Sequence, residues 1–116
     1  MKLICAMIKA FMLDDVRSAM YDLGIEGMTI TEVRGENDQD TSSLVYRGVE
    51  SSFHFSPQIK VEIATVVDDV ERIIQVLTQA TNMKKIKEEK IFVYDLEYVE
   101  CIRTGEINTA ALYLRG

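Results

Sequence analysis

The sequence predicts an α+β sandwich, an antiparallel sheet with two helices on one face, and three observations carry that reading. Two apolar stripes recur at helical spacing, Val16-Ala19-Met20-Leu23 and Val70-Ile73-Ile74-Leu77. Each stripe follows an Asp-Asp-Val triplet, Asp14-Asp15-Val16 and Asp68-Asp69-Val70, as two similar half-domains would leave behind. Two further segments, Met28 to Arg34 and Gln58 to Val66, alternate apolar with polar residues as half-exposed strands do.

Taken in order, Leu3 to Phe11 is apolar enough for a strand buried on both faces. The first helix follows, with Asp14 and Asp15 at its positive N-terminal end and Gly24 placed to stop it. The strand Met28 to Arg34 ends at Gly35. Residues 36–56 then show no sustained period and are rich in Asn, Asp, Ser, Thr and Gly. A loop of that length inside a compact domain is usually functional. Pro57 closes it, the strand Gln58 to Val66 follows, and the second helix covers Asp68 to Leu77. After a charged stretch from Lys84 to Lys90, two short strands are expected, Ile91 to Asp95 and Leu96 to Arg103. Strand, helix, strand, loop, strand, helix, strand is the split βαβ, or ferredoxin-like, order. Both helices lie on one face, so the other face must be covered, and self-association is the economical answer.

The bulk numbers narrow the function. A chain of 116 residues, 47% of them hydrophobic, makes one packed domain and leaves no room for two. No apolar run approaches the roughly 18–20 residues of a membrane span. The opening stretch is too short, and too soon followed by Lys9, for an export signal, so a cytoplasmic protein is expected. A formal charge of −6 argues against a nucleic-acid grip, which needs surplus Lys and Arg on one face. Cys5 and Cys101 have no metal-ligand or redox-pair spacing and read as buried or half-buried thiols in strands. The lone His54 lies in the loop with no partner at a catalytic spacing, so no enzyme is expected and no catalytic residue is assigned.

Several segments together carry a family resemblance. Phe11 to Arg17, Gly27 to Gly35, Tyr46-Arg47-Gly48-Val49-Glu50, Lys60-Val61-Glu62-Ile63, Lys90-Ile91-Phe92-Val93 and Ile102 to Glu106 resemble P-II nitrogen-regulatory proteins, in order and in register from Met1 to about Glu106. The resemblance implies a homotrimer with nucleotide clefts between subunits, where ATP or ADP binds and ATP with Mg2+ recruits 2-oxoglutarate. It implies a T-loop over 36–56 that touches target proteins, a nucleotide loop over 82–90 and a C-terminal tail over 107–116. The expected nucleotide ligands are Thr29, Gly35, Gln39, Glu62, Lys90 and Arg103, with Gln39 also holding the magnesium ion. Partner contact falls to Tyr46, Arg47 and Gly48, and the targets are an ammonium-channel type of membrane transporter or a metabolic enzyme.

The departures from that pattern concentrate on the ligand positions. The family wraps phosphates with a Gly-x-Gly-Lys turn, and here the residues are Lys87-Glu88-Glu89-Lys90. A non-glycine residue held in a left-handed conformation costs roughly 1–2 kcal/mol, and two carboxylates would face an anion. The arginine that accompanies Arg103 in the family is Cys101. Around Gln39 stand Glu36, Asn37, Asp38 and Asp40. This acidic loop is either solvated or a direct holder of a divalent cation. Lys84, Lys85 and Lys87 either replace lost charge or extend a solvated helix. Gln58 stands where the family pairs a lysine with 2-oxoglutarate, so the charge-assisted contact is lost. Ser51 stands at the family's modified tyrosine. The expectation is a regulator with weakened adenine-nucleotide sensing, ADP or AMP being bound better than ATP, and poor 2-oxoglutarate binding. The alternative is an interaction module that senses no nucleotide, or a different ion or anion.

Overall fold

The computed structural model describes residues 1–25, 27–36, 55–81 and 90–112. Four strands form one antiparallel sheet: β1 (Lys2–Lys9), β2 (Thr29–Glu36), β3 (Phe55–Thr65) and β4 (Lys90–Asp95). Their order across the sheet is β2-β3-β1-β4. Helices α1 (Leu13–Asp22) and α2 (Val67–Ala80) cross one face. This is the ferredoxin-like arrangement that the order of elements predicts.

Side-chain parity explains the layering. Ile4, Ala6 and Ile8 of β1, with Ile59, Val61 and Ile63 of β3, point to the helices and are buried against Val16 and Met20 of α1 and Ile73 and Leu77 of α2. Cys5 lies on the opposite face of β1 and is buried as well, so three consecutive residues at the middle of this strand are out of solvent. A central strand flanked by β3 and β4 can do this; an edge strand could not.

The helix ends follow their chemistry. Asp14 and Asp15 occupy the first turn of α1, and Asp68 and Asp69 that of α2. Gly24 sits just past α1 with φ +87°, its N–H donating to the Tyr21 carbonyl while that of Ile25 donates to Met20. These are the two bonds of a Schellman motif, and Ile25 packs against the core beside them. Helix α2 runs three residues beyond the expected Leu77, so Val76 and Ala80, rather than Ile74, complete its packed stripe.

Four expectations need correction. The first strand stops at Lys9, and Ala10–Met12 form a 3-10 turn that leaves Phe11 65% exposed. The apolar run continued through a turn because Met12, the last residue of that turn, fills the core. The long loop is shorter at both ends, since Gly35 pairs with Ser56 and Glu36 with Phe55. Pro57 therefore lies inside β3 rather than closing a loop. It is tolerated because β1 pairing ends at Gln58, leaving β3 with a partner on the β2 side alone at that point.

The strand expected over Leu96 to Arg103 is absent, and Cys101 is accordingly a half-buried thiol outside any strand. The chain instead turns back on itself. Cys101 N–H donates to Glu106, Gly105 N–H to Cys101 and Asn108 N–H to Val99, around an isolated bridge between Glu100 and Ile107. Gly105 at φ +77° and Asn108 at φ +54° make the reversal, two residue types suited to the left-handed region. A single helical turn, α3 (Thr109–Leu112), follows.

Candidate functional site

The sheet face that the helices leave open carries Thr29, Glu62 and Lys90, three of the six expected nucleotide ligands. Cross-strand register sets its rows. Thr29 stands opposite Glu62, Glu62 opposite Cys5, and Cys5 opposite Phe92. The next row is Thr31, Lys60, Met7 and Lys90, and the one beyond it holds Val33, Gln58 and Lys9. Thr29 is exposed, Glu62 half-buried and Lys90 exposed. Thr29 and Glu62 are thus brought side by side, about 5 Å apart at Cβ by antiparallel geometry. Lys90 lies one row on and two strands away from Glu62.

The other expected ligands are not gathered at that point within the chain. Gly35 sits six positions along β2 from Thr29, about 20 Å at strand rise. Arg103 lies in the C-terminal reversal, which leaves the sheet from the far end of β4, beyond Asp95. No hydrogen bond or ion pair among the described residues joins Arg103 to Thr29, Glu62 or Lys90. Gln39, the metal ligand expected with nucleotide, and Tyr46, Arg47 and Gly48 lie outside the described residues, as does the stretch from Lys84 to Glu89. Among the described residues no cluster of His, Cys, Asp and Glu could hold a metal ion. No helix among them is long and apolar enough to cross a membrane.

Gln58 is 8% exposed. It stands on β3 between Val33 and Lys9, at the edge of the open face. The two thiols differ. Burial pushes the Cys5 thiol up, with the Lys60 charge opposing and the Glu62 charge adding to the rise. Cys101 moves the other way, because the Thr104 hydroxyl donates to its sulfur and the Arg103 charge also favours the thiolate. At the far edge, Lys2 pairs with Asp95 and holds that carboxyl below its usual range.

Apolar surface borders these groups. Phe92 and Tyr94 on the open face, and Tyr98, Ile102 and Ile107 in the C-terminal segment, are exposed, Ile102 to 99%. The groove between the helices on the other side of the sheet, lined by Asp15, Ser18, Asp22, Val76 and Gln79, contains none of the expected ligands. Sequence reading did not single out Lys60 or Met7. Strict alternation along β3 was the available signal, since it already places Gln58, Lys60 and Glu62 on one face.

Comparisons with known proteins agree with this architecture. The family described as Nitrogen regulatory protein P-II matches residues 1–106. Nitrogen regulatory protein GlnK of Escherichia coli K12 is 43% identical over 112 residues, which cover 97% of this chain and 100% of that one. Nitrogen regulatory protein P-II of Haemophilus influenzae is 46% identical over the same length and coverage. Among solved structures, the Arabidopsis thaliana PII protein bound to citrate superposes with a TM-score of 0.79 at 28% identity, covering 99% of this chain and 92% of that one. With a matching fold, a full-length family match and relatives at this identity, the chain belongs to the P-II family of nitrogen regulatory, signal-transducing proteins.

Proposed function

We propose that this protein is a trimeric P-II regulator that binds an adenine nucleotide weakly and controls a target protein through residues 36–56. The target is a membrane transporter of the ammonium-channel type or a metabolic enzyme, contacted through Tyr46, Arg47 and Gly48. The protein itself carries out no catalysis, and it works in the cytoplasm, reaching the membrane only through a transporter. The observation that carries the nucleotide reading is the Thr29–Glu62 pair with Lys90 one row away, on the sheet face opposite α1 and α2. A hydroxyl and a carboxylate suit a base or ribose, and a lysine suits a phosphate. Gly35, Gln39 and Arg103 complete the ligand set. Because Arg103 stands off the end of β4, the complete site needs a second copy to bring that arginine to Thr29, Glu62 and Lys90. The exposed Phe92, Tyr94 and Ile102 support such an assembly, since apolar side chains of this size gain from burial.

Cys101 in place of an arginine and Glu88-Glu89 in place of glycines weaken the phosphate end, so ADP or AMP competes well with ATP and Mg2+ enters only with nucleotide. The citrate of the Arabidopsis PII protein is in keeping with small anions binding to this fold. Gln58 carries no charge for 2-oxoglutarate, and binding of that ligand is expected to be poor. Calorimetric titration with ATP, ADP and AMP, with Mg2+ and with and without 2-oxoglutarate, tests the reading. Micromolar binding of any adenine nucleotide supports it. Absence of heat and of thermal stabilisation by all three would leave a protein-contact module that senses no nucleotide.

A further inference from the structure

The open face has a charge opposite to that of the whole chain. The protein carries −6 formally, yet the described strand residues of this face include Lys9, Lys60 and Lys90 against the single carboxylate of Glu62. Lys60 and Lys90 both stand opposite Met7, in one row, on either side of β1. Neighbouring strands are about 4.8 Å apart, so their backbones are roughly 10 Å apart across Met7. Two flexible lysine arms span that gap easily. Among the described residues neither lysine has a carboxylate within salt-bridge distance, and Lys60 is half-buried. Glu62 is two residues from Lys60 along the strand, about 7 Å away. Thr31, on the other side of Lys60 in the same row, adds a hydroxyl. Two like charges on the strand positions either side of one methionine favour a ligand that carries negative charge on more than one group.

We propose that Lys60 and Lys90, placed on either side of Met7 in one row of the open sheet face, form a clamp for a chain of phosphates. Lys60 is not among the six expected nucleotide ligands. Its role here rests on the nucleotide reading only for the source of the phosphates. Lysine acts as a point charge on phosphate oxygens, so each arm takes a separate phosphoryl group rather than both chelating one. The monophosphate of AMP reaches one arm alone, whereas a di- or triphosphate engages both.

The test compares wild type, Lys60→Gln and Lys60→Arg by calorimetry with inorganic tripolyphosphate, ATP and AMP. Loss of one charge-assisted hydrogen bond corresponds to roughly a tenfold change or more. Lys60→Gln is expected to weaken tripolyphosphate and ATP by about that factor and AMP by less than about threefold. Lys60→Arg should stay near wild type. Unchanged tripolyphosphate affinity in Lys60→Gln, or no tripolyphosphate binding by wild type, overturns the clamp. Lys60-dependent tripolyphosphate binding without any nucleotide binding keeps the clamp and removes the nucleotide reading. Should Lys60→Gln fail to fold, acetylation of Lys60 in the wild-type protein decides instead. Tripolyphosphate protects it if the clamp exists and leaves its rate unchanged if it does not.

Discussion

Thr29 and Glu62 stand directly opposite each other on β2 and β3, thirty-odd residues apart in sequence but neighbours on the face that neither helix covers. Cross-strand pairing alone stabilises such a couple by only about 0.2–1 kcal/mol. Thr29→Val and Glu62→Gln are therefore expected to leave thermal unfolding nearly unchanged. Each should weaken adenine-nucleotide binding by about tenfold, the range for loss of a charged or well-placed hydrogen bond. Calorimetry on both variants checks this, and wild-type affinity in both would leave them as sheet residues alone.

The trimer reading makes a sharper demand on β4. Phe92 and Tyr94 are 43% and 53% exposed on the open face, more than a strand beside the core usually leaves. Phe92→Glu with Tyr94→Glu should reduce the mass seen by light scattering from three times the 13.2 kDa chain to one. A wild-type mass already at 13.2 kDa would refute the trimer outright.

Core and surface apolar residues should separate cleanly. Leu77 is 1% exposed and packs from α2 into the layer between helices and sheet. Leu77→Ala is expected to cost about 2–5 kcal/mol in denaturant unfolding, through lost burial and the cavity left behind. Ile102, fully solvated in the single chain, should show almost no loss when changed to Ala at concentrations low enough to keep the protein monomeric.

Gly24 tests backbone strain without steric crowding. Its φ of +87° is left-handed, and a Cβ there would meet nothing within 4 Å. Gly24→Ala should destabilise by about 1–2 kcal/mol, the cost of the conformation itself. Gly24→Asn should recover part of it, because Asn tolerates that region better.

The two thiols should titrate apart. Thr104 and Arg103 favour the Cys101 thiolate, so its alkylation should reach half-maximal rate below the pH of an ordinary cysteine. Thr104→Val removes the donated hydrogen bond and should move that midpoint upward. Cys5, buried and pushed the other way, should label only under unfolding conditions. Mass spectrometry after timed iodoacetamide exposure at several pH values reads both.

Fold legibility followed the strength of local signals. The helices were readable because apolar stripes and first-turn aspartates agreed on the same segments, and the first also had a stopping glycine; without one, the second ran on past its expected end. The strand expected over Leu96 to Arg103 failed because an apolar run cannot say whether a neighbour exists to pair with it. Here the chain folds back at Gly105 and Asn108 instead. Pro57 misled for a related reason. A proline breaks a strand only where its missing N–H is required, and that depends on where β1 stops.

By itself the sequence determined the family, the order of the four sheet strands and two main helices, and the identity of the candidate ligands, since these depend on residue type and spacing along the chain. Tertiary structure alone decided which of those ligands meet. Register put Thr29 against Glu62, set Lys60 and Lys90 about Met7, and left Arg103 off the end of β4. Register is a long-range property. It is set by which faces the helices bury and where each strand runs out of partners, and a one-residue slip of β3 would send both Lys60 and Glu62 to the other side of the sheet.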